Sequence, residues 1–496
     1  MSKPGPGTLP QVLGPVEAFC VVVGSVIGSG IFMIPADVAR AVPAIGPIAL
    51  VWIVGGLFSA AGALTLAELG AMLPQAGGPY VYLREAYGRL PAFLFGWAEF
   101  LIVRAGSMAT LAAAFARYFS NLVPPPGGLT RAVWQACAAI AAIAVVTMIN
   151  VLGTALGGRV QVAGTVLKVG GVLTLIALPF VVGGGDLARL SPAWPEAFSK
   201  NLLNGMMVAM VGVLWAYDGW VNLTPLAEEV KHPGRDIPIA LIGGMATLIG
   251  LYLAMTFAYH YVLTLPEVAA SVGTVADKAV AGAYCHRLLG SRGLWAISLL
   301  VMASTFISLN GNALTGPRAY FAMARDGLFF RGLCTIHARY RTPANAVIAQ
   351  GVWASALMIL GTALLVAPVP GVEAGLPVAV RAAWLKLHQT PLYTVLYTYV
   401  IFGANVFYLL AIASVFVLRV RRPDAPRPYR TWGYPVTPAL YVVASLGLLA
   451  HMLREKPVES VAGLAIIGLG LPAFWCFRRG ADRRPSPLSP DPDGVT

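Results

Sequence analysis

Between Gly24 and Pro35 an apolar run long enough to cross a bilayer is interrupted by Gly28-Ser29-Gly30, and glycine weakens a helix interior by roughly 1 kcal/mol relative to alanine. Where a helix unwinds, the N–H groups opening the next half and the carbonyls closing the previous half lose their partners. In lipid such a stretch survives only if it is buried in protein or lines a cavity. The chemistry it offers is that of a receptor. The amides of Ser29, Gly30 and Ile31, at the positive end of a half-helix, suit a carboxylate. The carbonyls of Val26 and Ile27 suit an ammonium, with those of Trp215 and Ala216 in a second glycine-bearing stretch, Gly212-Val-Leu-Trp-Ala-Tyr-Asp-Gly219-Trp220. Acceptors and donors on either side of one break recognise a zwitterion, the part common to all amino acids, and side chains then sort the rest.

Four further groups carry charge at or near membrane depth. Lys168 stands in the middle of Thr165-Val-Leu-Lys-Val-Gly-Gly171, too deep for easy snorkelling, where an unpaired charge costs several kcal/mol. Asp218, inside the second break, either contacts a substrate amine or caps the half-helix that follows. Glu99 and Arg104 are five residues apart, about 140° around an α-helix, so each is expected to pair with another span rather than with its neighbour. Glu228, Glu229, Lys231, Arg235 and Asp236, with Arg318 and Arg325, read either as gate ion pairs or as a solvated loop face.

The elements that position these groups are membrane spans. Charged residues make up 11% of the 496, against roughly 25% in ordinary soluble domains; hydrophobic residues make up 58% and the mean hydropathy is +0.75. Apolar stretches of about 20 residues, the length that spans a bilayer, fall near 17–39, 45–71, 91–118, 131–151, 160–182, 201–227, 238–263, 293–317, 343–366, 394–418, 435–452 and 458–477. Twelve spans put both ends on one side, and the excess of Lys and Arg in the loops of that side makes it cytoplasmic. The polar, Pro/Gly-rich start before residue 17 does not read as a removable signal peptide. The net charge of +13 is then membrane topology rather than a nucleic-acid surface. Five scattered cysteines suggest neither a disulfide framework nor a metal site, and the six histidines have no ligand spacing, so no cofactor is expected and an intramembrane enzyme is disfavoured.

Spans one to five and six to ten open alike, each with an interrupted helix followed by proline (Pro35, Pro225). Five is odd, so the second set enters the membrane from the opposite side. Interrupted segments at matching positions of an inverted repeat mark the site of a secondary transporter. The chain divides accordingly into a tail (1–16), a first five-helix repeat (17–182), an outer loop (183–200), a second repeat (201–421), two further helices (435–477) and a C-terminal tail (478–496).

Gly28-Ser-Gly-Ile-Phe32, Ala67-Glu-Leu-Gly70 with Gly77-Gly-Pro-Tyr80, Trp215-Ala-Tyr-Asp-Gly-Trp220, Glu228-Glu-Val-Lys-His-Pro-Gly-Arg-Asp-Ile-Pro238 and Pro317-Arg-Ala-Tyr-Phe-Ala-Met-Ala-Arg-Asp-Gly327 followed by Arg341-Thr-Pro343 together resemble the amino acid-polyamine-organocation superfamily. The Tyr-Asp-Gly-Trp form and Ile102-Val-Arg-Ala-Gly-Ser107 are most similar to its L-type amino acid transporter branch. The resemblance implies an all-α, LeuT-type fold: a 5+5 inverted repeat with discontinuous helices 1 and 6 and two peripheral helices. It also implies that Trp215 closes over substrate, that Ser107 and Tyr252 lie beside it, and that Lys168 offers its amine where sodium-coupled relatives bind a cation, donating to first-span carbonyls and Ser308. Two departures stand out. Phe119 to Thr130 contains no cysteine, so no disulfide-linked partner subunit is expected, and the loop from Ala367 to Thr390 is long, with Pro377 to His388 a candidate interfacial helix.

The expected function is sodium-independent exchange or proton-coupled uptake of neutral L-amino acids across the cell membrane. A cationic amino acid or polyamine permease is the alternative within the superfamily, and a nutrient sensor that binds without transporting is the alternative outside it.

Overall fold

The structure is a computed structural model describing residues 9–191, 193–195, 197–271, 279–366, 392–455 and 457–482. The loop from Ala367 to Thr390, with its candidate interfacial helix, lies outside the described residues. Twelve helical stretches are long and apolar enough to cross a membrane: Pro15–Ala41, Ile45–Met72, Arg89–Leu122, Arg131–Val151, Thr154–Val182, Lys200–Glu229, Pro233–Val262, Ser291–Arg325, Ala344–Leu364, Val400–Arg421, Val436–Glu455 and Ser460–Arg478. They coincide with the twelve expected spans, and no β-strand forms among the described residues.

Three of the irregular spans, the first, third and sixth, meet at the centre. The first starts where Pro15 takes the opening helical position and the Glu17 carboxylate accepts from the Gly14 N–H at 3.0 Å. It stops at Val26 and resumes at Gly30. The sixth opens on a Ser199 cap, whose hydroxyl accepts from the Leu202 N–H at 3.1 Å, and ends at Tyr217. Gly219 then turns the chain at φ +119°, a conformation side chains rarely adopt, and a 3-10 helix runs from Trp220 to Glu229. The second unwound point is thus Asp218–Gly219, later than the glycine spacing alone suggests, with Trp215 and Ala216 still helical. The third span carries a single π-helical insert, Glu99–Val103, between the α-helices Arg89–Ala98 and Arg104–Leu122.

The first span is the axis of the bundle and is almost wholly buried. Its first half packs on the fifth, seventh and eighth spans; its second half packs on the sixth and on the short helix Leu265–Ala270. The two breaks touch backbone to backbone. A Cβ on Gly30 would lie 2.5 Å from the Ala216 Cα, so only glycine allows this approach.

At the face bearing the N-terminus, the extended residues Leu9 to Leu13 lie along the end of the sixth span. Val12 and Leu13 donate to the Glu229 carbonyl at 3.0 and 2.9 Å, and Lys231 donates to Leu13 at 2.9 Å. Beneath them Arg318 and Glu229, both wholly buried, form a two-pronged pair at 2.8 and 3.2 Å. Glu228 meets Arg325 at 3.1 Å and also accepts from the Leu9 and Ala76 amides. Of the two readings of this charged cluster, the ion pairs hold for Glu228 with Arg325, Glu229 with Arg318 and the buried Asp236 with Arg235 at 2.8 Å, whereas Lys231 is exposed.

Candidate functional site

A small polar cavity of about 30 Å³ lies where the first, third, sixth and eighth spans converge. Its wall contains Val26, Gly28, Ser29 and Gly30 from the first break, Ser107 from the third span, and Trp215 and Asp218 from the sixth. Six of the ten residues assigned to substrate from the sequence therefore share one cavity. Gly30 opens the second half of the first span, so the first-turn amides lie at its mouth. Ile31 and Ala216 sit just behind the wall.

Tyr252 does not face the cavity. Its hydroxyl lies 3.0 Å from both the Val26 and the Ala216 carbonyl oxygens, and its ring packs against Trp52 and Tyr217 at 5.7 and 5.0 Å between centroids. One hydroxyl proton shared between two carbonyls ties the breaks of the first and sixth spans together. Asp218 accepts from the Tyr408 hydroxyl at 3.3 Å and from the Gly219 amide; the 3-10 helix that follows starts at Trp220, with Gly219 at its cap position and no side-chain cap.

Lys168 occupies a second polar centre, between the first and eighth spans. It is wholly buried. Its ammonium donates to the Gly24 carbonyl at 2.6 Å, the Ile27 carbonyl at 2.6 Å and the Ser308 hydroxyl at 3.0 Å. Ser308 lies 3.1 Å from the Ile27 carbonyl and 3.2 Å from that of Gly24, and Ser304 donates to Ile27 at 2.9 Å. The Ile27 carbonyl, grouped from sequence with Val26 as a substrate acceptor, thus already receives three donors of the Lys168 cluster, because ψ of 81° at Ile27 turns it away from the helix axis. One turn along the fifth span, Thr165 donates to the Cys20 carbonyl at 3.1 Å and fixes the register of the fifth span on the first.

The expectation that Glu99 and Arg104 find partners elsewhere is overturned. Arg104 Nε donates to Glu99 at 2.5 Å, with both side chains buried. The reason is the π-helical insert: it places residues i and i+5 on one face, where an α-helix would hold them about 140° apart. Arg104 also joins the cavity wall, its Nη1 donating to Asn222 Oδ1 and, at 3.5 Å, to Asn312 Oδ1. Arg104 as a wall residue, Asn222, Asn312, Ser25 and Ser304 were not read from sequence as members of either centre. The available signal was that polar residues inside membrane spans are costly and mark functional paths. Among the described residues no group of three or more His, Cys, Asp or Glu is placed to hold a metal ion.

A twelve-span bundle whose first and sixth helices break around a central polar cavity, with a lysine amine between the first and eighth, is a multi-pass membrane transporter of the LeuT type. The amino acid permease family model matches residues 13–471. The human b(0,+)-type amino acid transporter 1 is 30% identical over 487 residues, covering 96% of this chain and 89% of that protein. The serine/threonine exchanger SteT of Bacillus subtilis is 31% identical over 475 residues, covering 95% and 98%. The rabbit large neutral amino acids transporter small subunit 2 is 30% identical over 480 residues, covering 94% and 80%. The chain belongs to the amino acid permease family and is an amino acid transporter.

Proposed function

We propose that this protein exchanges neutral L-amino acids across the cell membrane without sodium, with both termini cytoplasmic. The observation that carries the reading is the Lys168 ammonium, held by two first-span carbonyls and an eighth-span hydroxyl. A fixed cation there takes the carbonyl dipoles that a mobile metal ion would need, so no sodium is required to join the first and eighth spans. The relatives named as exchangers and neutral amino acid transporters support the same direction.

In this reading the amides at Ser29, Gly30 and Ile31 take the substrate carboxylate, and the Val26, Trp215 and Ala216 carbonyls take its ammonium. Tyr252 aligns two of those carbonyls, and Ile27 and Ser308 belong to coupling with Lys168. Trp215 closes over the bound molecule, and Ser107 and Asp218 border its side chain. The Arg104 guanidinium in the same wall weighs against a cationic amino acid or a polyamine. The two five-helix repeats, 17–182 and 201–421, rock about this centre, and the Glu229–Arg318 pair closes the cytoplasmic side. Without a cysteine between Phe119 and Thr130 the chain works without a disulfide-linked partner subunit.

Counterflow of a labelled neutral amino acid into proteoliposomes loaded with the same unlabelled amino acid tests the reading. Counterflow undiminished when choline replaces sodium is expected; strict sodium dependence or binding without counterflow overturns it.

A further inference from the structure

Arg104 is only 4% exposed, yet its donors are incompletely used. Nε goes to Glu99 and Nη1 to the oxygens of Asn222 and Asn312, while Nη2 has no hydrogen-bond partner among the described residues. A guanidinium carries five N–H donors in a rigid fork and accepts nothing, and a buried donor of a charged group left without an acceptor is costly. The residue belongs to the cavity wall together with Ser107, Asp218, Asn222 and Asn312. The wall is thus built of backbone groups from the first break on one part, and of a charged, amide-rich side-chain set on the other.

We infer that this side-chain set is a subsite for small neutral amino acids carrying a hydroxyl or carboxamide, with Arg104 as the specificity-determining donor. The charges select that class. Glu99 neutralises Arg104 at 2.5 Å, so a substrate carboxylate would meet Asp218 in the wall and a guanidinium already compensated by the Glu99 it is bonded to, and a substrate cation would be buried beside the guanidinium. A hydroxyl or carboxamide brings no charge. It also has both faces the wall calls for: an oxygen that accepts from Arg104 Nη2, and a proton to donate to Asp218, which among the described residues receives the Tyr408 hydroxyl and the Gly219 amide. An aliphatic side chain of the same shape satisfies neither. The π-helical insert in the third span brings this about, since it turns Glu99 and Arg104 to one face and so lets a buried arginine stand at the site without an uncompensated charge.

This subsite rests on the neutral amino acid exchange proposed above, and isosteric substrate pairs separate the two. Threonine and valine have one shape, as nearly do asparagine and leucine. In competition counterflow with purified protein, threonine should outcompete valine, and asparagine leucine, by roughly tenfold or more, the value of a hydrogen bond to a charged donor. Arg104→Lys keeps a cation beside Glu99 but removes the fork; the threonine-to-valine ratio, read at whatever rate the variant retains, should collapse to within about threefold. If that variant does not fold, Arg104→Met combined with Glu99→Gln removes the pair as a unit and is read by the same ratio. Threonine and valine falling together with their ratio intact would make Arg104 a structural brace and overturn the subsite. A wild-type protein that exchanges both equally overturns it too and leaves neutral exchange standing, whereas absence of any neutral amino acid counterflow removes the broader reading first.

Discussion

Replacing Lys168 probes the coupling centre most sharply. The ammonium makes two hydrogen bonds of 2.6 Å to carbonyls and one of 3.0 Å to Ser308. Hydrogen bonds from a charged donor contribute about 1.5–3 kcal/mol each, so the two carbonyl bonds represent roughly 3–6 kcal/mol. Ser304 and Ser308 already lie 2.9 Å from the Ile27 carbonyl and 3.2 Å from that of Gly24; neither carbonyl is therefore left without a donor, which lowers the loss by about 1 kcal/mol at each. The net loss of linkage between the first, fifth and eighth spans is then about 1–4 kcal/mol. Applied to the balance of two transport states, that shifts their ratio by roughly five- to a thousandfold. Folding should suffer less, because removing a buried charge also removes its desolvation penalty. Lys168→Met, close in length and apolar, should therefore insert and melt within about 1–2 kcal/mol of wild type, while counterflow of a neutral amino acid falls at least fivefold. Lys168→Ala adds a cavity and should fall further. Lys168→Arg keeps the charge but cannot release its proton; it should abolish uptake driven by a pH gradient if the lysine must deprotonate, and otherwise leave it in step with exchange. Wild-type counterflow in Lys168→Met and Lys168→Ala would refute the reasoning.

Gly30→Val should lose exchange by crowding: its Cβ would sit 2.5 Å from the Ala216 Cα, an overpacking cost of about 1–3 kcal/mol, and an unchanged substrate constant in the variant counts against close contact of the two breaks. Trp215→Ala should slow exchange and admit bulkier side chains with little loss of yield, whereas a tryptophan that only packs would lower the melting temperature and leave kinetics alone. Glu229→Gln leaves Arg318 buried and uncompensated, so a destabilisation of about 3–5 kcal/mol is expected by thermal melting; a change under 1 kcal/mol would place that pair in solvent. Cys285, on the short helix Val280–Leu289, is 1% exposed, and burial pushes its thiol up to about 12. It should resist maleimide at pH 7.5 until the protein is denatured, and rapid labelling of the native protein would contradict its buried position.

The first break was legible because Gly28-Ser29-Gly30 interrupts an apolar run, and Lys168 because a charge in mid-span is rare enough to stand out. The second break was legible only in its neighbourhood: the helix carries on through Trp215 and Ala216 to Tyr217, and Gly219 alone takes the positive φ. Which carbonyl of the first span serves which centre depends on a single ψ angle at Ile27, for which side-chain identity gives no signal. The π-helical insert was invisible. Glu99–Val103 contains neither glycine nor proline, so the α-helical spacing rule put Glu99 and Arg104 on different faces and missed their contact. Asn222 and Asn312 could be noticed as polar residues within spans, but their convergence on Arg104 is a property of three helices packed together and appears only in three dimensions. Tyr252 shows the reverse case: motif resemblance set it beside substrate, and packing turns its hydroxyl to the Val26 and Ala216 carbonyls.

The most direct test of the central claim is counterflow of labelled threonine in proteoliposomes containing the purified protein alone, measured in sodium and in choline at the same pH on both sides. We expect equal rates in the two salts, loss of signal when no exchangeable amino acid is loaded inside, and a rate at least fivefold lower in Lys168→Met. Counterflow that disappears in choline would contradict the assignment of the cation site to the lysine amine.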